Sequence, residues 1–266
     1  MEKKKYHILA IRRDDSFSPN SVTKDRAILQ MSCDLLGENI PMIDEARLDE
    51  SFDADVYLSM ARFPDTIHLL KQFEDQGKIV INSGYAVSAC SRRNLQTIMF
   101  DNHFSMPSEK GDSGYWIKRG DMATQCEEDV AYCQDEQALE KAKVAFAERG
   151  IDDYLVSAHV VGDVIKFYGV GNLFFQYFYP SDDHQTKFSH ELVNGEAHHY
   201  AFDEDYLRKE VQRLAEIISI DVYGGDAIVD KDGRIYIIDF NDWPSFSRCR
   251  EKAANAIARL VKDRMS

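Results

Sequence analysis

Residues 222–246 read VYGGDAIVDKDGRIYIIDFNDWPSF, and three of them, Asp226, Asp239 and Asn241, carry side-chain oxygens of the kind that bind hard metal ions. Strand side chains alternate faces with period two, so Asp239 and Asn241 are expected on one side, with Tyr236, Ile238 and Phe240 on the other. The intervening VDKDGR reads as a tight hairpin turn in which Asp232-Gly233 supplies positive backbone dihedrals, and the turn brings Asp226 back toward Asp239. Two carboxylates and an amide oxygen suit magnesium, which keeps some water and shares the rest of its shell with nucleotide phosphates. Any one of the three could be an ordinary cap or turn residue. Together, at the point where the apolar run IYIID passes into DFNDWP, they break the pattern a plain core strand would keep, and such local conflicts mark functional sites.

A second chemical signal lies upstream. In YWIKRGD an apolar strand delivers Lys118 into a polar turn, where a compact ammonium can hold phosphate as a point charge. Lys166 projects from another short strand, DVIKFYGV, and is a candidate second phosphate contact.

The pattern GGDAIV, a turn, then YIIDFNDWPSF resembles the closing motif of the ATP-grasp superfamily, in particular carboxylate–amine ligases of the glutathione synthetase ATP-binding type. The resemblance extends over most of the chain and is strongest at its C-terminal end. It implies an α/β, ATP-grasp-like fold with a small parallel-sheet domain at residues 1–88, a central α+β subdomain at 89–156 and a C-terminal one at 157–266, the last two clasping the nucleotide.

The same resemblance implies ATP and Mg2+ as cofactors, with Asp226, Asp239 and Asn241 as metal ligands and Lys118 on phosphate. Arg93, or its neighbour Arg92, stands where the family more often has a phosphate-binding lysine. Adenine is expected at the linker after residue 153, with Leu155 and Val156 against the ring and the backbone of residues 157–160, starting at Ser157, reading its edge. Arg248 joins Lys118 as a catalytic side chain. Two departures are visible: Ala158 aligns where many relatives carry a glutamate, and Gly120 is the only glycine in a loop that is usually glycine-rich.

The reaction implied is Mg-ATP-dependent ligation. A carboxylate is phosphorylated to an acylphosphate, and an amine then displaces phosphate. The partners are therefore small molecules, a carboxylate donor and an amine acceptor, and a homodimer is compatible with the fold. One alternative is an ATP-grasp kinase acting on a small hydroxylated or phosphorylated metabolite, since some inositol phosphate kinases of the family share the Asp-x-Asn-x-x-Pro ending seen at residues 239–244. The other is a nucleotide-binding regulator without turnover, suggested by Ala158 and the glycine-poor loop.

The elements that must position these residues read as alternating α/β structure. HILAI opens as a strand, a polar loop carrying Arg12, Arg13, Ser18 and Asn20 follows, and residues 21–36 form an amphipathic helix. Strands at 40–43 and 56–60, a helix at 68–76 and the strand IVIN continue a small parallel sheet, whose ligands should collect at the carboxyl ends of the strands. Residues 136–149 form a charge-rich helix stopped by Gly150. DDYLVSAHVVGDVIKFYGV gives two apolar strands about a Gly162-Asp163 turn, expected as a hairpin. Residues 206–219 form a helix with a buried stripe that includes Leu207, Val211 and Leu214, and a last helix spans about 248–262. Of the aromatic, histidine-bearing stretch at 172–202, Lys187 is a candidate contact over the substrate, while His184, His190, His198 and His199 lack metal-ligand spacing.

Composition bounds the rest. The 266 residues are 44% hydrophobic and 29% charged, enough for a sizeable core and too apolar for disorder. The net charge of −14 argues against a nucleic-acid surface. No stretch is long enough to span a bilayer, and the apolar run after the basic N-terminus is too short for a signal-peptide core. Five cysteines, odd in number and without Cys-x-x-Cys spacing, fit a reducing cytoplasm.

Overall fold

Short apolar runs separated by polar loops and amphipathic stretches fold into three sheets, and the computed structural model describes them over residues 6–37, 39–120, 126–183 and 193–266. The first sheet is parallel in the order β2-β1-β3-β4, from β1 (Ile8–Arg12), β2 (Met42–Asp44), β3 (Val56–Ser59) and β4 (Ile79–Ile81). Its helices are α1 (Val22–Leu36), which buries Ile28, Leu29 and Cys33, and α2 (Pro64–Asp75), which buries Ile67, Leu70 and Phe73. Pro64 opens α2, where a missing N–H leaves no intrahelical bond unmade. The β/α alternation expected from the sequence is therefore present, with α2 beginning four residues earlier than its apolar pattern suggests.

Two short helices follow, α3 (Gly84–Ala89) and α4 (Arg92–Asp101), the second capped by the Ser91 hydroxyl, which accepts from the Asn94 amide. The second sheet is antiparallel, with β5 (Tyr115–Arg119) between β6 (Val130–Cys133) and β7 (Tyr154–Ala158). It packs under α5 (Glu136–Glu148) through Ile117, Leu139, Phe146 and Ile151. The third sheet, also antiparallel, has the order β11-β10-β8-β9, from β8 (Asp163–Val170), β9 (Phe174–Phe178), β10 (Val222–Val229) and β11 (Ile235–Asp242). The remaining helices are α6 (Glu204–Ile217) and α7 (Arg250–Arg264).

One expectation needs correction. The strands flanking Gly162 are not a hairpin: β7 pairs with β5 and β8 with β10, so residues 159–162 carry the chain from one sheet to another. The reason is a tertiary contact: a Cβ on Gly162 would lie 2.3 Å from the Val229 carbonyl oxygen, so the chain here is pressed against the end of β10 rather than folded back on β7. The expected division after residue 156 lies within the span of β7. In addition, Leu95, Met99 and Phe104 pack with α6 and the third sheet, not with the α5 core.

The cores explain how the sheets are held. Trp243, Phe246 and α7 pack with α1, with Val56 and Leu58 of the parallel sheet, and with Tyr168 and Val170 of β8, so the first and third sheets share one core. The other face of the third sheet buries Ile165, Phe167 and Ile237 against Leu207, Val211 and Leu214 of α6. All five cysteines are unpaired thiols, and among the described residues no helix is long and apolar enough to cross a membrane.

Candidate active site

A cavity of about 1140 Å³ lies where the three sheets meet. Its floor is half of one face of the third sheet: Val164 and Lys166 of β8 line it, whereas Tyr168 and Val170, farther along the same face, are buried in the core shared with the parallel sheet. Asp226 and Ile228 of β10 extend this floor.

The edge of the floor depends on a β-bulge. Asp226 pairs with Asp239 but Ala227 pairs with Ile237, so Ile238 is an extra residue in β11. The buried positions accordingly shift phase, from Ile235 and Ile237 before the bulge to Phe240 and Asp242 after it. Tyr236 and Ile238 thus do not share a face with buried Phe240, as simple alternation predicted. Instead Ile238, Asp239 and Asn241 all reach the cavity. The carbonyl of Ile238 accepts a hydrogen bond from Lys118 Nζ at 3.1 Å, which links the bulge to the end of β5. Gly225 makes the close pairing feasible, since a Cβ there would lie 2.1 Å from the Asp239 carbonyl oxygen. The hairpin turn also differs from a two-residue loop: only Gly233 has positive φ, 77°, and the Asp230 carboxylate accepts from the amides of Asp232 and Arg234.

The donor set is ordered by its neighbours. Asn241 Nδ2 donates to Asp239 Oδ2 at 3.0 Å, which fixes the amide so that its oxygen is the atom left to bind a cation. Asp226 Oδ1 pairs with Lys166 Nζ at 3.2 Å across the β8–β10 ladder. Burial by itself would raise the Asp239 pKa, but Arg92, Lys118 and the Asn241 hydrogen bond outweigh it and hold the carboxyl below its ordinary value. Burial lowers Lys118, with Asp239 pulling in the opposite direction. The chemistry of this set fits magnesium shared with phosphate: oxygen donors only, too few for a complete shell, beside two lysines. Among the described residues no group of three or more His, Cys, Asp or Glu side chains is placed to hold a metal ion.

Of the residues singled out from sequence, Lys118, Ser157, Lys166, Asp226, Asp239 and Asn241 line the one cavity. Four others do not. Arg93 is exposed and its guanidinium is engaged with Asp153, whereas Arg92, one residue earlier on α4, lines the cavity and bonds the Arg119 carbonyl at 2.8 Å. Val156 packs beneath α5, and Leu155 stands beside Lys118 in the β5–β7 ladder away from the lining; the cavity wall begins one residue later, at 157–160. Arg248 bonds the carbonyls of Tyr179 and Pro180, at 3.0 and 3.4 Å, outside the cavity. Ser18 and Asn20 do line it, while Arg12 pairs with Asp44 in a separate depression. Lys187, His184 and His190 lie outside the described residues.

Sequence reading missed two further groupings. Asp242 is buried between two arginines from the N-terminal sheet: its Oδ2 accepts from Arg13 at 2.9 Å and its Oδ1 from Arg62 at 2.6 Å. Arg13 also reaches Asp25, which accepts from the Ser18 hydroxyl at 2.6 Å. The signal was the second aspartate of DFND, readable as polar but not as the anchor of two distant loops. At the other end, Trp116 Nε1 donates to His159 Nδ1 at 3.0 Å, and both rings line the cavity beside residues 157–160. That contact requires an unprotonated Nδ1, in keeping with burial lowering the His159 pKa.

The sequence matches no family model and no curated protein. Solved structures match over nearly the whole chain. The D-alanyl-alanine synthetase A from Vibrio cholerae O1 biovar eltor superposes with a TM-score of 0.68 at 11% identity, covering 98% of both chains. The D-alanine–D-alanine ligase from Bacillus anthracis complexed with ATP gives 0.65 at 12% identity, covering 98% of this chain and 100% of that one. The ATP-grasp ligase PsnB, complexed with a phosphomimetic variant of its minimal precursor, Mg and ADP, gives 0.63 at 10% identity, covering 98% and 99%.

Proposed function

We propose that this chain, which has the ATP-grasp fold, is a Mg-ATP-dependent ligase that joins a carboxylate to an amine through an acylphosphate. The observation that carries the reading is the convergence of Lys118, Lys166, Asp226, Asp239 and Asn241 on one cavity, two cations and three oxygen donors contributed by four strands of two sheets. Structural neighbours that include D-alanine–D-alanine ligases and the ATP-grasp ligase PsnB support the reaction class.

Each residue has a distinct part in this reading. Residues 157–160, with Trp116 and His159, provide a part-apolar, hydrogen-bonding slot for the adenine. Lys118, half-buried and anchored on the bulge carbonyl, and Lys166, steadied by Asp226, hold the phosphates. Asp226, Asp239 and the Asn241 amide oxygen hold Mg2+, which when bound neutralises phosphate charge as the phosphoryl group moves. Arg92 adds positive charge next to Asp239. These groups work by position and electrostatics, so no protein nucleophile is required.

Incubation with labelled ATP, Mg2+ and pooled metabolites tests the proposal. The expected products are ADP, phosphate and a new amide. A stable phosphorylated metabolite accompanying ADP would instead identify a kinase, and binding without ADP formation would identify a regulator.

A further inference from the structure

Away from the nucleotide slot, the cavity continues to the parallel sheet, and this end has a chemistry of its own. Its wall combines the loop at residues 16–21 with one face of α2, where Pro64, Ile67, His68 and Lys71 recur at helical spacing and all line the cavity. Phe17 and Phe63 form an edge-to-face pair with centroids 5.2 Å apart. The buried Glu45 carboxylate fixes both loops, accepting from the amides of Asp14, Arg62 and Phe63 at 2.6 Å each. Ser18 is tied down as well, through Asp25.

Charge is distributed unevenly over this wall. Although the chain carries a net charge of −14, the acids lining the cavity among the described residues are Asp226, Asp239 and Asp242 alone. The first two belong to the metal end, and both oxygens of Asp242 are taken by Arg13 and Arg62. Lys71 makes no ion pair among the described residues; its ammonium lies 5.2 Å from the centre of the Tyr85 ring. A half-buried lysine with no matching carboxylate, on the same wall as an aromatic pair and about two turns of α2 from it, is arranged to receive an anion attached to an apolar body.

We propose that this end of the cavity binds a substrate with an apolar segment seated on Phe17 and Phe63 and a terminal anionic group, carboxylate or phosphate, answered by Lys71 with His68 beside it. The substrate is thus an acid with a second, non-reacting anionic end. The assignment rests on the ligase reading for the role of the other end, but the anion preference stands on the wall itself.

Binding isotherms in the presence of Mg-ADP provide the test, with three probes that share one body: phenylacetate, 4-carboxyphenylacetate and 4-(phosphonomethyl)phenylacetate. One of the doubly anionic probes should bind at least about 10-fold tighter than phenylacetate, as expected for a hydrogen-bonded charge partner, and which of them does so distinguishes carboxylate from phosphate. Lys71→Gln should remove that preference and Lys71→Arg should retain most of it, with the Mg-ADP thermal shift unchanged in both. Equal binding of all three probes, no binding of any, or an undiminished preference in Lys71→Gln would overturn the assignment. A failed Mg-ADP shift alongside a Lys71-dependent anion preference would overturn the nucleotide reading instead, so the two failures are distinguishable.

Discussion

Asp239 and Asp242 stand three residues apart on the same strand, yet they belong to two different regions of the molecule. Asp239 opens onto the cavity and is met by a neutral amide, with lysine and arginine charge nearby. Asp242 is sealed between Arg13 and Arg62, which come from loops of the parallel sheet. Both carboxyls are held below their ordinary pKa against the opposing effect of burial. The difference teaches that the partner set, not the residue type or the ionisation state, decides what a buried carboxylate does. One is left with capacity for a cation; the other locks a domain contact beside it.

The largest expected effect comes from breaking the locked member. Asp242→Ala leaves Arg62 without its carboxylate and Arg13 with Asp25 alone, and removing one side of a buried pair typically costs about 3–5 kcal/mol. Urea unfolding should show a loss of that order. A loss under about 1 kcal/mol would mean that water and the existing Asp25 contact satisfy the arginines, and the contrast with Asp239 would collapse.

Next in size is the open member. Asp239→Asn and Asn241→Ala should lower ATP-dependent turnover by about 100- to 1,000-fold, the usual cost of removing one stabilising group at developing charge. Their unfolding midpoints should shift far less than that of Asp242→Ala. Steady-state ADP release measures the first quantity, and if turnover persisted in both variants the metal would have to bind elsewhere.

A third variant tests the bulge that separates the two regions. Gly225→Ala places a Cβ where the Asp239 carbonyl oxygen is 2.1 Å away, and relieving such overpacking costs about 1–3 kcal/mol. Because β11 must move at Asp239, the magnesium requirement for turnover should rise together with the loss of stability. A fall in stability with an unchanged magnesium titration would show that the register around Asp239 tolerates displacement.

The smallest effect is in pH dependence. His159 has a folded-state pKa below its ordinary value of 6.5 because of burial, so below about pH 6.5 the unfolded chain takes up a proton that the folded chain resists. Stability should therefore fall as pH drops from 7 toward the folded pKa, and His159→Gln should flatten that part of the profile. Identical profiles for the two proteins would place His159 in water.

How much of this was legible in the sequence follows the range of the interactions involved. The β10–β11 hairpin is local, so its strand pattern, its glycines and the three donors could be read directly, as could Lys118 at the end of β5. The phase shift at Ile238 could not, because alternation is blind to a bulge set by backbone contact with Gly225. Arg92 and Arg93 are adjacent on a helix, and choosing between them required knowing that Asp153, 60 residues away, engages Arg93. The role of Asp242 depends on arginines 229 and 180 residues distant in the chain, which no spacing reveals.

The central claim is that Asp226, Asp239 and Asn241 bind magnesium jointly with a nucleotide, and thermal unfolding with ADP, with and without Mg2+, tests it most directly. Ligands that prefer the folded state raise its stability by an amount that grows with the logarithm of ligand concentration over Kd. ADP alone should raise the melting temperature modestly and ADP with Mg2+ clearly more, with the magnesium increment lost in Asp239→Asn. An ADP shift of equal size with and without Mg2+, or a full magnesium increment in Asp239→Asn, would contradict the account.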